Sequence, residues 1–155
     1  MRKIALGTRS RGSPVVAAIV VDASVVAGWL LEDESNAYTE YVGDQVASGT
    51  QLVAPNLLLW EVSNLMLSAE KRGRLEPDRA GLMLAKLAVL PWEWDKPAHF
   101  AVMDETIKLG RRRGLTAYDS AYLGLAQERG LPLATQDKAL RAAAAVVGVP
   151  LIESS

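Results

Sequence analysis

The chain has 155 residues, half of them hydrophobic, with 17 basic and 18 acidic side chains. This length fits one domain with a substantial core, and this hydrophobic content excludes a chain that is disordered throughout. The absence of Cys excludes a disulfide scaffold, a zinc–thiolate site and a Cys nucleophile, and a single His disfavours a His-based zinc site or a Ser-His-Asp triad. Any metal site must therefore use oxygen ligands, which points to magnesium or manganese.

The N-terminus is basic and lacks a sustained apolar stretch, so residues 1–14 are interpreted as an extension that adds little to the core. No apolar run is long enough to span a bilayer, and the apolar residues 15–21 lead into Asp22 without a cleavage-like segment. The sequence therefore predicts one domain over residues 15–155, in a cytoplasmic protein with no membrane segment and no signal peptide.

Strand-like and helix-like segments alternate along the chain. Short apolar or β-branched runs bounded by turn residues predict strands at 15–21, 52–54, 91–94, 131–135 and 149–152. Apolar periodicity and capping residues predict helices at 24–31, 36–47, 57–72, 76–89, 96–113, 116–129 and 137–145, with Ser24, Asn56 and Thr116 as N-caps. This alternation predicts an α/β fold with a parallel sheet of four to five strands and right-handed crossovers.

Four acidic residues lie where a predicted strand has just ended or a predicted helix begins: Asp22, Glu61, Asp119 and Asp137. In a parallel sheet these positions meet at one edge, which is the usual place for ligands and chemistry. Carboxylates that converge repel each other unless a hard cation holds them. The sequence therefore predicts that these four acids form a catalytic site that binds Mg²⁺ or Mn²⁺.

Each acid also has a purely structural interpretation. Asp22 and Asp137 are placed to cap the helices that follow them, and Thr116-x-x-Asp119 has the spacing of a capping box. Glu61 is different, because it lies in the first turns of an apolar helix. The helix dipole favours an acid there by only about 0.3–1 kcal/mol, which is less than the cost of burying an unpaired carboxylate.

Three further polar residues are predicted to support the acids. Ser24, Asn64 and Thr135 place hydroxyl or amide groups near them, and Asn64 follows Glu61 by three residues on the same helix face. Helix capping or contact with solvent is the alternative for all three.

Four short motifs carry a family resemblance. They are Val20-Val21-Asp22-Ala23-Ser24-Val25, Pro55-x5-Glu61-x2-Asn64, Tyr118-Asp119-Ser120-Ala121-Tyr122-Leu123-x2-Ala126 and Gly130-Leu131-Pro132-Leu133-Ala134-Thr135-Gln136-Asp137. In this order and spacing the chain resembles PIN-domain nucleases, and most of all VapC toxins of VapBC toxin–antitoxin systems, over residues 15–152. The resemblance implies a three-layer α/β/α sandwich and an endoribonuclease dependent on magnesium or manganese. The family's acidic site maps onto Asp22, Glu61, Asp119 and Asp137, its polar position after the first Asp onto Ser24, and its Thr before the last Asp onto Thr135.

The same resemblance implies partners. RNA is the implied substrate, cleaved to a 3′-hydroxyl and a 5′-phosphate, and the implied assembly is a homodimer silenced by a VapB-like antitoxin. The antitoxin tail is expected across the early helices, where Trp29-Leu30-Leu31 offers an apolar surface. An arginine of the run at 111–113, which precedes Asp119, is expected to reach a phosphate, although basic residues there also suit a helix C-terminus.

Three other functions remain open. One is a PIN-domain ribonuclease in RNA processing or turnover, and another is a non-catalytic binding module on the same fold, which would gain nothing from four repelling carboxylates. The third is a phosphoaspartate phosphatase, which would need a second Asp where this chain has Ser24.

Overall fold

A computed structural model describes residues 16–96 and 100–154 of the chain. The predicted basic extension, residues 1–14, lies outside these ranges, as do residues 97–99 of the helix expected from residue 96, while residue 96 itself is not helical. Among the helices of the described ranges, none combines the length and apolar composition needed to cross a membrane.

Strands and helices alternate as the sequence predicts. The strands are β1 (Ala18–Val21), β2 (Gln51–Pro55), β3 (Trp92–Asp95) and β4 (Leu133–Ala134). The helices are α1 (Ala23–Leu30), α2 (Ala37–Ala47), α3 (Leu57–Lys71), α4 (Pro77–Ala88), α5 (Ala101–Arg113), α6 (Ala117–Arg129) and α7 (Lys138–Val147), and a short 3-10 turn (Glu32–Glu34) follows α1. The strand expected at 149–152 is reduced to one parallel bridge between Leu133 and Leu151.

The four strands form one sheet in the order β3-β2-β1-β4, and every neighbouring pair is parallel. Strand β1 is central, since Val20 pairs with Val53 on one side and with Leu133 on the other. The carboxyl ends of all four strands therefore lie along one edge, where Asp22 follows β1 directly. The predicted α/β class, with a parallel central sheet flanked by helices, is confirmed.

The core forms where the apolar strand β1 meets helix α1. Ile19, Val20 and Val21 are almost completely buried, and α1 buries nearly all of its length. The expected apolar surface at residues 29–31 is wrong, because Trp29, Leu30 and Leu31 are only 8%, 1% and 3% exposed. The Trp29 indole N–H donates to the Thr39 carbonyl at 2.8 Å. Packing against α2 thus removes this surface from any partner.

Helix starts differ from the sequence prediction at two places. Asp22, not Ser24, is the N-cap of α1: its backbone is extended and its carboxylate accepts the N–H of Ser24, which is already helical. Asn56 makes no capping hydrogen bond, because its backbone is helical (φ −56°, ψ −23°) and a capping side chain needs an extended backbone. The predicted cap at Thr116 is present, with its hydroxyl accepting the N–H of Asp119.

Candidate active site

Asp22 lies at the end of the central strand and is only 5% exposed. Its Oδ1 accepts the backbone N–H and the hydroxyl of Ser24, at 3.1 and 2.6 Å, and its Oδ2 accepts the hydroxyl of Thr135 at 2.6 Å. Burial raises the pKa of Asp22, and these hydrogen bonds oppose the increase only in part. The position therefore holds a carboxylate whose negative charge the surrounding protein compensates incompletely.

Both hydroxyls that bind Asp22 are themselves fixed by the loop after β4. Thr135 Oγ1 accepts the N–H of Asp137 at 3.0 Å, and Ser24 Oγ accepts the N–H of Gln136 at 2.8 Å. Each hydroxyl oxygen thus accepts a backbone N–H, and its hydrogen is directed at the Asp22 carboxylate. Ser24 and Thr135, two of the predicted supporting residues, contact Asp22 directly.

Glu61 lies in the second turn of α3 and is half-buried. The phenol of Tyr122, on α6, donates to Glu61 Oε2 at 2.5 Å. Burial raises the pKa of Glu61 and the phenol lowers it, while the negative charges of Asp22 and Asp119 raise it further. Asp22 and Asp119 therefore lie near enough to Glu61 for their charges to act on its carboxylate.

Asp119 and Asp137 have more local hydrogen bonds. The Thr116 hydroxyl donates to Asp119 Oδ2 at 2.9 Å and accepts the N–H of Asp119 at 3.1 Å. Asp137 is exposed and its Oδ1 accepts the N–H of Leu140 at 2.8 Å, which caps α7. The capping interpretation of Asp137 thus describes a real contact, whereas the Asp119 carboxylate accepts the Thr116 hydroxyl and not the Thr116 backbone N–H of a capping box. Each of these contacts engages one carboxylate oxygen.

Asn64 is the predicted supporting residue that the structure does not connect to the acids. It is exposed on α3, and its side chain makes no hydrogen bond to any residue within 16–96 or 100–154. Spacing along the helix places it on the same face as Glu61, about one turn further along α3.

Sequence reasoning gave no role to Gln136, Asn36, Tyr38 or Tyr122. Gln136 Nε2 donates to the Ser24 carbonyl at 2.8 Å, and its Oε1 accepts the Asn36 amide at 2.6 Å. The Tyr38 hydroxyl accepts the N–H of Thr135 at 3.2 Å. Gln136 and Tyr122 fall within the quoted motifs, which was a usable signal, whereas nothing in the sequence around Asn36 or Tyr38 points to the site.

The donor set suits a hard divalent cation. All the candidate ligands are carboxylates, and the charge of the buried Asp22 is only partly compensated, which a bound cation would correct. Of the residues that the structure describes, no three Asp, Glu or His side chains already form a ready metal-binding group. A cation would have to draw together acids that are each oriented by their own hydrogen bonds.

Comparisons with known proteins show the family to which the chain belongs. A model of the PIN domain family matches residues 19–146. The chain belongs to the PIN domain family. It is 32% identical over 126 residues to Ribonuclease VapC3 of Pyrobaculum aerophilum, and the matched region covers 79% of this chain and 91% of that protein. It is also 30% identical over 92 residues to Exonuclease VapC9 of the same organism, covering 59% of this chain and 66% of the relative.

A solved structure shows the same fold. The crystal structure of PAE2754 from Pyrobaculum aerophilum matches with a TM-score of 0.60 and 27% sequence identity, over 82% of this chain and 79% of the other. The resemblance to PIN-domain nucleases of the VapC type, inferred from four short motifs, is confirmed by these relatives. The three-layer α/β/α class that it implied is confirmed as well.

Proposed function

We propose that the chain is a ribonuclease dependent on Mg²⁺ or Mn²⁺, acting in the cytoplasm as the toxin of a toxin–antitoxin pair. The observation that carries this proposal is the electrostatic coupling of Glu61 to Asp22 and Asp119 at the carboxyl edge of the sheet. The proposal is also supported by the similarity of the chain, over most of its length, to Ribonuclease VapC3. A site of this kind would gain nothing from concentrated negative charge unless a cation and a phosphodiester came to it.

The proposed roles follow from how each acid is held. Asp22 and Asp119 would bind the cation, with Glu61 and Asp137 completing the ligand set or orienting the attacking water. A bound divalent cation lowers the pKa of a water molecule and offsets charge on the phosphate. Burial and the charges of its acidic neighbours raise the pKa of Glu61, and its carboxylate would accept a proton from the attacking water.

Phosphate contacts are proposed for the basic end of α5. Arg111, Arg112 and Arg113 are exposed in its last turn, and Gly114 and Leu115 connect that turn to the start of α6, which carries Asp119. Positive charge beside the acidic edge would attract an RNA backbone and hold it by salt-sensitive contacts.

Cleavage assays test the proposal. Purified protein should cleave RNA with added Mg²⁺ or Mn²⁺ and stop when chelator is in excess, and full activity in excess chelator would reject the metal mechanism. Because one relative is named a ribonuclease and another an exonuclease, the mode of attack is decided with a circular single-stranded RNA. Cleavage of the circle supports the endoribonuclease that we propose, whereas cleavage of the linear form alone indicates an exonuclease.

The antitoxin needs an apolar contact surface other than Trp29–Leu31, which is buried. A groove of about 520 Å³ lies between α3, α4 and β3. Its lining is almost entirely apolar: Val26, Leu58, Leu59, Val62, Ser63, Leu84, Leu87, Ala88, Leu90, Trp92 and Trp94. We propose that an apolar antitoxin segment occupies this groove while an Arg or Lys of the antitoxin enters the acidic edge.

Growth assays test this partner. Expression of the chain alone should arrest a bacterial host, Asp22→Asn should not, and co-expression of a small gene adjacent to its own should restore growth. Normal growth with soluble, RNA-cleaving protein would instead favour the role in RNA processing or turnover.

A homodimer is the third partner proposal. Large apolar side chains are exposed along α3 and α5, including Trp60 (77% exposed), Leu67 and Met103. Burying such residues against a second copy would stabilise an assembly. Light scattering of the purified protein should give twice the mass of one chain, and a single-chain mass at micromolar concentration would contradict the dimer.

A further inference from the structure

We propose that Tyr122 is a positioning residue for the nuclease site, and that its phenol holds the Glu61 carboxylate in place. The inference rests on the proposed function, in which Glu61 serves the cation or the attacking water. Tyr122 is only 1% exposed, lies on α6 three residues after Asp119, and donates to Glu61 Oε2 at 2.5 Å. It thus connects the helix that carries Asp119 to the helix that carries Glu61.

Glu61 needs such an anchor because the charges around it push it away. The negative charges of Asp22 and Asp119 both act on its carboxylate. The glutamate side chain has three rotatable bonds, and its position in an early turn of α3 leaves it half exposed. Without a fixed donor, repulsion and solvation both favour a rotamer that points to water and away from the other acids.

Tyr122 supplies the donor from a rigid position. Its ring is packed in the core, so its hydroxyl has little freedom, and the hydroxyl donates to one oxygen of Glu61. The second oxygen of that carboxylate is left for the site. Phenylalanine would fill nearly the same core volume, so packing alone does not require the hydroxyl. The hydroxyl is the group to which we assign the function.

A purely structural role and a positioning role predict different measurements. If the hydroxyl only satisfies a buried polar group, Tyr122→Phe changes the stability of the protein and leaves cation binding and turnover alone. If it positions Glu61, the same change weakens cation binding and lowers kcat, and both effects require Glu61 to be present.

The experiment is a double-mutant cycle of Tyr122→Phe and Glu61→Gln. Mn²⁺ affinity is measured by calorimetry on the full chain, and kcat and KM are measured with one RNA oligonucleotide. Urea unfolding of each metal-free variant checks that it is folded. The matched control is Tyr41→Phe, since Tyr41 is also partly buried and its hydroxyl makes no hydrogen bond to the residues that the structure describes.

We expect Tyr122→Phe to weaken Mn²⁺ binding and lower kcat by about 10-fold or more, as loss of a hydrogen bond to a metal ligand does elsewhere, with KM for RNA little changed. In the Glu61→Gln background the same change should have less than a twofold further effect, and Tyr41→Phe should resemble the unmodified chain. Unchanged Mn²⁺ affinity and kcat in Tyr122→Phe, or an equal loss in both backgrounds, would overturn the inference. If Glu61→Gln itself binds Mn²⁺ and cleaves RNA normally, the proposed role of Glu61 has failed, and the inference fails with it.

Discussion

Replacing Asp22 by Asn isolates the charge at the end of the central strand. Asp22→Asn keeps the size of the side chain and one carbonyl oxygen, which can still accept both hydrogen bonds from Ser24. The new amide would face Thr135 Oγ1, which now donates to Oδ2 at 2.6 Å and would have to turn its hydrogen away. Asn is also as good an N-cap as Asp, so the start of α1 is preserved.

The change in stability is a balance of two terms. A hydrogen bond to a charged group contributes about 1.5–3 kcal/mol and a neutral one about 0.5–1.5 kcal/mol, so the exchange at Thr135 costs about 1 kcal/mol. Removing the buried charge works in the opposite direction, because burial is the main cause of the raised pKa of Asp22. We expect metal-free Asp22→Asn to be within about 1 kcal/mol of the unmodified chain, or more stable. Asp22→Ala, which loses every one of these bonds, should be destabilised by about 2–4 kcal/mol.

Activity should respond quite differently. Asp22→Asn removes a charge from the proposed cation site, so RNA cleavage should fall by about 100-fold or more, the scale of losing one preorganised electrostatic group. Urea unfolding without metal and single-turnover cleavage with Mg²⁺ measure the two properties on the same protein. Cleavage within about threefold of the unmodified chain would refute the assignment of Asp22 as a ligand. A loss of stability as large as that of Asp22→Ala would show that the residue is mainly structural.

Three further predictions follow from the same structure. The raised pKa of Asp22 means that the folded state binds the proton of this carboxyl more tightly than the unfolded state does. As pH rises from the unfolded-state pKa near 3.8 through the higher folded-state pKa, the metal-free unmodified chain should therefore lose stability relative to Asp22→Asn. The opposite trend in urea unfolding would contradict this prediction. Mn²⁺ at 100 times its Kd for the unmodified chain should stabilise that protein by about 2.7 kcal/mol in thermal or urea unfolding. The same Mn²⁺ concentration should stabilise Asp119→Asn clearly less, and equal stabilisation of the two proteins would remove Asp119 from the site. Gly28→Ala should destabilise the protein by about 1–3 kcal/mol, because the new Cβ would lie 2.7 Å from Thr39 Cβ. Gly81→Ala, on α4 with open space around it, should stabilise the protein by about 0.5–1 kcal/mol. Similar unfolding midpoints for the two variants would contradict this packing.

The sequence predicted the fold well because its strongest signals are local. The β-branched run that becomes β1 and the alternation of strands with helices identify a parallel sheet without any knowledge of contacts. Errors arise where tertiary packing decides. Trp29–Leu31 reads as an apolar surface in the sequence, but packing of α2 onto α1 buries it. Ser24 and Asn56 look like caps by residue type, but their backbone conformations do not allow that role.

The sequence indicated four acids and two supporting hydroxyls, on Ser24 and Thr135, but neither which hydroxyl contacts which carboxylate nor the contact that Tyr122 makes. The sequence indicates which acids follow a predicted strand or lie near the start of a predicted helix. The partners of those acids come from distant segments: Tyr122 is 61 residues from Glu61, and Thr135 is 113 residues from Asp22. No local periodicity encodes such pairs, so only the folded structure reveals which hydroxyl fixes which carboxylate.

Helix capping and metal binding, which compete as explanations in the sequence, are compatible in the structure. Asp119 and Asp137 each engage one carboxylate oxygen in a local hydrogen bond, to Thr116 and Leu140 respectively. A carboxylate has two oxygens and about four lone-pair directions, so a capped Asp keeps an acceptor that can serve a cation. Capping would even help, since it fixes the rotamer before the cation arrives and lowers the entropy cost of binding. Replacing Asp119 or Asp137 by Asn keeps an oxygen that can accept the same local hydrogen bond and removes only the charge. For that reason Asp119→Asn and Asp137→Asn should remain as stable as the unmodified chain in urea unfolding while their Mn²⁺ affinities fall, and an unchanged affinity in either variant would leave that residue with capping as its whole role.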